Sequence, residues 1–459
     1  MTRIPAHTLD DAPEGSRHAL EAVAQRYGTT PNIYAQVAHA PAVINGPLAA
    51  PAARYCDVRR LTEVLAEPLC AEDQTVQSMP DVSPTKWHRA HVTWFFEEFV
   101  LAPSVPDHQP VHPEYRYLFN SYYEAVGDRH PRPDRGLLSR PTAAEVGRYR
   151  ELVDREMLDL LAGGPPPDLL AMVTLGLHHE QQHQELLLMD AKHVLSQGPL
   201  DTAYRPASTR PTSRPVPLTW TGHGGGVVEI GHDGSRFAYD NERPRHRALL
   251  EPFALADRPV TCGDWLAFID DGGYRRPELW LSEGWATVQA QRWAAPLYWR
   301  RDGDRWTVFT LSGRRPVDEA EPVCHVSYFE ADAYARWAGA RLPTEAEWES
   351  VAAGVPVDDA HLLDLDQLHP APVAGGGLVQ LHGGVWEWTS SPYTPYPGFR
   401  PERGAVGEYN GKFMVNQQVL RGGSCVTPVG HLRPTYRNFF PAAARWVFAG
   451  LRLARDERS

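Results

Sequence analysis

The stretch DLLAMVTLGLHHEQQHQELLLMDAKHVLSQ, residues 168–197, keeps helical periodicity for about 30 residues without a proline. At 1.5 Å per residue it reads as a rod of about 45 Å. Such a rod buries its apolar side only against neighbouring helices. Three other stretches supply them. CDVRRLTEVLAEPL (56–69) places apolar residues at i, i+3 and i+4; WHRAHVTWFFEEFVL (87–101) follows the start signal Ser83-Pro84; AAEVGRYRELVDREMLDLLAG (143–163) stops at Gly163-Gly164-Pro165. Four helices joined by loops predict an up-and-down bundle over residues 55–202. The connection from about 102 to 141 is too long for a plain connector, and loops of that size commonly carry function.

Beyond the bundle, AYRPASTRPTSRPVP (203–217) is rich in Pro, Ser, Thr and Arg and poor in apolar residues, as a linker is. From 218 to 456 short strand-like runs (GGVVEIG, VLRGG, AGLRLAR) alternate with turns and brief helices such as ADAYARWAG and TEAEWESVAAG. This half is expected to be an α+β domain, so the chain is multidomain, α followed by α+β. Residues 1–54 form an Ala/Pro-rich extension. Within it SRHALEAVAQRYG has helical periodicity, and TTPNIYAQVAHAPAVI faintly resembles the start of a carboxymuconolactone decarboxylase-like module; no function is attached to either.

The net charge of -12 argues against a nucleic-acid footprint and against an anionic membrane surface. The five cysteines are odd in number and form no CxxC pair, which argues against a disulfide framework or a structural zinc site. The first residues contain no apolar signal-peptide core, and no window approaches 18 consecutive apolar residues. The cytoplasm is therefore the expected compartment, with no membrane and no nucleic-acid partner.

The chemistry concentrates in HHEQQHQE. His179 and His183 lie at i and i+4, stacked one turn apart on one helix face, where two imidazoles bind one metal ion. His91, on the WHRAHVTWFF helix, faces that pair if the bundle is antiparallel. Three neutral imidazoles leave open positions on a six-coordinate metal for a substrate and O2. A rival reading is that His179-Glu180-Gln181-Gln182-His183 is the HExxH signature of zinc metalloproteases, with Glu180 as general base. Met189 stands where the metzincin extension needs a third histidine. The direction of Glu180 discriminates: a protease needs it at the metal, whereas the alternative leaves it behind the ligands.

SPTKWHRAHVTWFFEEFVL, YLFNSYYEAVG and HHEQQHQELLLMD resemble the DinB-like domain of the sulfoxide synthases of ergothioneine biosynthesis. FAYDNERPRHRA, FIDDGGYRRPELWLSEGW, ARLPTEAEWE, GGVWEWTSSPYTPYPGF, VLRGGSCVTP and RPTYRNFFP resemble the formylglycine-generating-enzyme-like (sulfatase-modifying-factor) domain of the same proteins, with its C-type-lectin-like fold. The resemblance spans roughly residues 55–456. It implies an Fe(II) enzyme that uses O2 to join a thiol sulfur to the imidazole ring carbon of hercynine (Nα-trimethylhistidine) and oxidises that sulfur to a sulfoxide. It places the three iron ligands on His91, His179 and His183.

The resemblance also implies substrate contacts. Gln182 is expected to hydrogen-bond the hercynine imidazole, and Asn438, Phe439 and Phe440 of the YRNFF motif are expected to line the hercynine site. A trimethylammonium cation gains about 0.5–2 kcal/mol from an aromatic face. Relatives that use γ-glutamylcysteine carry an Asp where this chain has Phe440, so L-cysteine is the expected sulfur donor. The catalytic tyrosine that favours C–S bond formation over thiol dioxygenation is expected in FNSYY, at Tyr122 or Tyr123, with Tyr409 as the reserve. Free cysteine needs a counter-charge for its carboxylate, which Arg132 and Arg135 of HPRPDRG offer. Two departures are visible: Gly384 stands where the family motif commonly has Asn or Asp, and only Cys425 lies where formylglycine-generating enzymes carry a reactive cysteine pair. The alternatives are the same reaction with γ-glutamylcysteine, an ovothiol-type synthase acting on histidine, and a non-catalytic metal- or thiol-binding DinB-like protein.

Overall fold

The computed structural model describes residues 49–206, 216–357 and 360–457. The two stretches read in the N-terminal extension, SRHALEAVAQRYG and TTPNIYAQVAHAPAVI, lie outside the described residues. The described chain forms two compact units: one holds residues up to Tyr122 together with Val126–Ala191, the other holds Tyr123–Ala125 and residues from Lys192 onward.

The first unit is built on four helices: α1 (Ala49–Ala66), α2 (Thr85–Phe96), α4 (Ala143–Ala162) and α5 (Pro167–Leu195), with the short α3 (Tyr115–Phe119) in the long connection. All twelve residues of α2 are buried. A helix enclosed on every side must satisfy its polar side chains internally. Arg89 does so by donating from Nε and Nη2 to Glu63 at 3.0 and 2.6 Å and from Nη1 to Gln74 Oε1 at 2.9 Å. Lys86 Nζ donates to the Leu138 carbonyl at 2.6 Å. A π-helical turn, Glu97–Leu101, continues α2. There Tyr149 donates its phenol proton to Glu97 Oε2 at 2.5 Å, and Val111 N–H bonds Glu97 Oε1 at 2.8 Å. On α5, Gly176 lets the aromatic face of α2 approach closely: a Cβ there would lie 2.6 Å from Phe96 Cε1.

The expected start signal of α2 works differently. Pro84 is its N-cap and no side chain caps it. The Ser83 hydroxyl instead accepts from Arg135 Nη1 at 2.9 Å, so tertiary structure has taken over a residue that local chemistry assigns to capping. Helix α4 is capped conventionally, with Thr142 and Glu145 forming a reciprocal capping box.

The second unit is α+β. Strands β1 (Trp220–His223), β4 (Phe253–Ala256) and β12 (Ala454–Asp456) form one sheet in the order β1-β4-β12. Strands β2 (Gly226–Ile230) and β3 (His246–Leu250) pair antiparallel from Gly226↔Leu250 to Ile230↔His246. Strands β5 (Trp299–Asp302), β6 (Arg305–Thr310) and β7 (Gly313–Pro316) form a meander. The largest sheet runs β10 (Asn438–Phe440), β9 (Gln418–Arg421), β8 (Trp386–Pro392), β11 (Ala449–Gly450). Capping boxes written in sequence as S/T-x-x-D/E start three helices: Thr261 with Asp264, Ser327 with Glu330 and Thr344 with Glu347.

The WEW motif forms the heart of this unit. Trp386, Glu387 and Trp388 are all buried on β8, and Glu387 pairs with the equally buried Arg452 at 2.9 Å while accepting from Trp348 Nε1 at 2.7 Å. Gly384 just before it has φ +73°. That left-handed conformation suits Gly, and Asn or Asp next best, so glycine meets the same backbone need as the commoner family residues. The first residues of the expected linker are part of the fold: Tyr204 is buried, and the Tyr204 and Arg205 N–H groups donate to the Leu311 carbonyl at 2.8 and 3.1 Å. None of the five cysteines forms a disulfide among the described residues. Among the described residues no helix is long and apolar enough to cross a membrane.

Candidate metal centre

The i, i+4 spacing on α5 sets the rings of His179 and His183 4.7 Å apart, and α2 brings His91 against both, at centroid distances of 4.9 and 4.7 Å. One nitrogen from each ring lies within 4.8 Å of the others, and all three residues are buried. His91 donates from Nδ1 to the Phe119 carbonyl at 2.6 Å, which leaves its Nε2 lone pair facing inward. That atom stands 3.2 Å from His179 Nε2.

The arrangement fits a metal on its own terms. Two nitrogens bound at about 2.1 Å to one ion and at right angles to each other lie about 3.0 Å apart. Without an ion, the His91 and His179 lone pairs cannot both point into that gap. His179 Nδ1 also has no hydrogen-bond partner among the described residues. Whichever nitrogen carries the proton, one buried polar atom of the apoprotein goes unmet, and a shared cation removes the conflict. Neutral imidazoles suit iron, zinc, copper and nickel.

Glu180 points elsewhere. Its carboxylate accepts from Arg59 Nη1 at 2.8 Å, Arg150 Nη2 at 3.0 Å and Thr62 Oγ1 at 2.6 Å. Burial alone would raise its pKa, but the Arg59 and Arg150 guanidiniums and the Thr62 hydroxyl outweigh that and hold it at about 2. A carboxylate committed to two buried arginines is not a general base at a metal, so this direction disfavours the HExxH protease reading.

Arg135 lies one ring away from the histidines. Its guanidinium sits 3.3 Å above Trp87, and Trp87 stacks on His91 at 4.7 Å and 12°. It donates to Ser83 Oγ at 2.9 Å and Ser121 Oγ at 3.1 Å; among the described residues its Nε has no hydrogen-bond partner and no carboxylate pairs with it. Burial lowers its pKa to about 9, so it remains a cation at neutral pH. Arg132 is half-buried, and its guanidinium hydrogen-bonds the Asp81 carbonyl. Tyr122 is half-buried and near enough to Arg135 to affect its ionisation, while Tyr123 is buried. Gln182 is half-buried on α5, one residue before His183.

In the second unit, Asn438, Phe439 and Phe440 form β10 and are half-buried. Phe439 stacks on Tyr393 at 4.1 Å and 8° and meets Phe413 at 5.8 Å and Tyr409 at 6.3 Å. Phe440 meets the edge of Trp446 at 5.8 Å. Asn438 Oδ1 accepts from the Phe439 N–H at 2.9 Å, which leaves the amide nitrogen outside that bond.

Two residues at the centre escaped the sequence reading. His88 Nδ1 lies 2.9 Å from His183 Nδ1, and His88 Nε2 lies 2.9 Å from Asp190 Oδ2. The signal existed, since His88 precedes His91 by three and Asp190 follows His183 by seven, both same-face helical spacings. Spacing alone does not say that the two faces meet.

The triad's charge state sets a pH dependence. Burial first, then the neighbouring histidines, holds His91 and His183 well below the ordinary 6.5, and burial lowers His179 to about 4. The folded apoprotein therefore keeps these rings neutral where the unfolded chain protonates. Their contribution to stability is complete above pH 6.5 and is lost as pH falls from 6.5 towards 4. Each ring that stays neutral across that window costs about 1.4 kcal/mol per pH unit. Urea unfolding of apoprotein between pH 8 and 4 should show a flat limb followed by this decline; a stability independent of pH below 6.5 would contradict the buried neutral triad.

The DinB superfamily profile matches residues 55–194, and the profile of the sulfatase-modifying factor enzyme 1-like domain matches residues 221–371 and 367–457. The class is thus a DinB-type helical domain, here with three converging buried histidines, joined in one chain to a sulfatase-modifying-factor-like α+β domain. The hercynine oxygenase of Mycolicibacterium smegmatis is 38% identical over 414 residues, covering 83% of this chain and 92% of that protein. The hercynine oxygenase of Mycobacterium tuberculosis is 36% identical over 402 residues, covering 82% and 92% respectively. The formylglycine-generating enzyme of Streptomyces coelicolor is 30% identical over 299 residues, covering 53% of this chain and 86% of that protein. The chain belongs to the hercynine oxygenase family and is an oxidoreductase.

Proposed function

We propose that the protein is an Fe(II)- and O2-dependent sulfoxide synthase that joins the sulfur of L-cysteine to the imidazole ring carbon of hercynine in ergothioneine biosynthesis. The observation that carries this reading is the convergence of His91, His179 and His183 around one cation-sized gap, with Glu180 turned away into its arginine pair. Family membership supplies the substrate class, since the similar proteins are named hercynine oxygenases. The cytoplasm remains the proposed compartment.

The balance of the reaction is simple. The hercynine C–H and the cysteine S–H give one C–S bond, releasing two electrons, and the sulfur gives two more on becoming a sulfoxide. O2 accepts all four; one oxygen stays on sulfur and the other leaves as water. Bound iron would supply the one-electron chemistry with O2 and a site for the thiolate. The protein's own residues bind and orient. Arg135, a buried cation with no paired carboxylate among the described residues, is the proposed partner for the cysteine carboxylate. Arg132 is the weaker candidate, because its guanidinium is held by the Asp81 carbonyl. Tyr122 and Tyr123 are the proposed proton donors, with Tyr122 favoured by its electrostatic link to Arg135. Gln182, Asn438, Phe439 and Phe440 are kept as proposed hercynine contacts. Phe440 offers an aromatic face where γ-glutamylcysteine-using relatives place a carboxylate, which supports the smaller thiol.

The test is anaerobic reconstitution with Fe(II), followed by oxygenated turnover of hercynine with cysteine and with γ-glutamylcysteine in parallel. Hercynylcysteine sulfoxide from cysteine is expected. Product only from γ-glutamylcysteine would overturn the thiol assignment, and product from neither would overturn the function. In the same assay Arg135→Met should raise KM for cysteine about 10–100-fold, the cost of a lost charged hydrogen bond. Tyr122→Phe and Tyr123→Phe should divert oxygen to cysteine sulfinate; unchanged product ratios in both would remove these tyrosines from the mechanism.

A further inference from the structure

We infer that His88 and Asp190 form a relay that sets the tautomer of His183 and makes it the strongest donor of the three metal-facing imidazoles. The inference rests on the metal-centre reading of the histidines and not on any substrate.

The protons along the relay follow from its far end. Asp190 Oδ2 accepts from the Ser83 backbone N–H at 2.8 Å and lies 2.9 Å from His88 Nε2. An ionised carboxylate only accepts, so His88 carries its proton on Nε2. In neutral His88 the other nitrogen, Nδ1, is then a lone pair. It faces His183 Nδ1 at 2.9 Å, so the proton between the two rings belongs to His183. That places the His183 lone pair on Nε2, the nitrogen left for the metal. All three side chains are buried, Asp190 and His88 at 3% exposure and His183 at 7%, so water offers no ready competing partner.

The three imidazoles are thereby graded. A ring N–H that hydrogen-bonds a carboxylate makes the opposite nitrogen a better donor than one that bonds a neutral carbonyl. His183 has a carboxylate at the end of its chain, one imidazole removed. His91 has only the neutral Phe119 carbonyl, at 2.6 Å. His179 Nδ1 has no hydrogen-bond partner among the described residues. His88 and Asp190 are positioning residues, since they act on the metal through His183. Ser83 ties this relay to Arg135, because its N–H holds Asp190 while its hydroxyl accepts from the guanidinium at 2.9 Å.

The test measures metal affinity and tautomers apart from turnover. Co(II) is titrated into apoprotein and followed by its visible d–d bands. His88→Ala should weaken Co(II) binding about 10–100-fold, the usual cost of removing an outer-shell partner. His88→Asn should restore affinity to within a few-fold, because the asparagine Oδ1 takes the place of the imidazole Nδ1 as acceptor. Asp190→Asn keeps the shape and removes the charge, so it should weaken binding and shift the bands while the protein stays folded. Nitrogen-15 spectra of the Zn(II)-loaded protein should show His183 protonated on Nδ1 and His88 on Nε2. Wild-type affinity in both His88→Ala and Asp190→Asn, or a His183 ring with no proton on Nδ1, would overturn the relay. If His88→Ala does not fold, Asp190→Asn and the tautomer spectra decide alone. A protein that binds Co(II) as expected yet fails to turn over hercynine would overturn the substrate reading and leave the relay standing.

Discussion

His179→Ala should abolish metal binding and turnover together, while leaving the apoprotein folded. His179 is the ring whose Nε2 stands 3.2 Å from His91 Nε2, so its loss opens the gap that a cation would bridge. The remaining pair, His91 and His183, comes from two different helices and lacks the i, i+4 clamp that α5 provides. The fold should tolerate the change because the wild-type apoprotein already carries a cost there: a buried Nδ1 with no partner among the described residues, worth about 1–3 kcal/mol. Removing that cost offsets much of the cavity the smaller side chain leaves. Metal content after Fe(II) reconstitution, the apoprotein urea midpoint and sulfoxide formation are the three measurements. Iron retained at wild-type stoichiometry, or undiminished activity, would contradict the ligand assignment.

Glu180→Ala should have the opposite profile: a large loss of stability with the metal site intact in the molecules that remain folded. Glu180 is fully buried between Arg59 and Arg150, themselves 1% and 2% exposed. Removing one member of a buried ion cluster leaves uncompensated charge and costs about 3–5 kcal/mol. Arg59 keeps Asp154 at 2.6 Å, and Arg150 keeps an ion pair with Glu63 at 2.6 Å, so the loss belongs at the lower end, near 3 kcal/mol. Glu180→Gln, which retains an acceptor without the charge, should fall between. Urea unfolding of the apoproteins measures the loss, and Co(II) titration at low urea should return a near-wild-type affinity. The HExxH reading predicts the reverse, with stability kept and catalysis lost, so this one variant separates the two.

Much of the first unit was legible because its signals are local. Helix α4 runs Ala143–Ala162 within the stretch read as 143–163, and α5 runs Pro167–Leu195 against a reading of 168–197. Periodicity and the Gly-Gly-Pro stop act within a few residues of one another, and a sequence displays such relations directly. The same holds for His179 and His183, whose shared face follows from 3.6 residues per turn. The second unit was legible mainly through its motifs. Its strands are only two to seven residues long, and the buried pairing of Glu387 with Arg452 joins segments 65 residues apart.

By itself the sequence determined the four helices of the first unit, which two histidines share a face, and which family the motifs resemble. Only the tertiary structure decided that Ser83 holds Arg135 and Asp190 instead of capping α2, that Arg135 is buried while Arg132 is held by the Asp81 carbonyl, that Glu180 is committed to Arg59 and Arg150, and that His88 stands behind His183. The physical reason is one of range. Backbone geometry fixes the direction of a side chain relative to its own helix, but the partner it finds depends on how helices pack, and that is set by the shapes of many side chains at once.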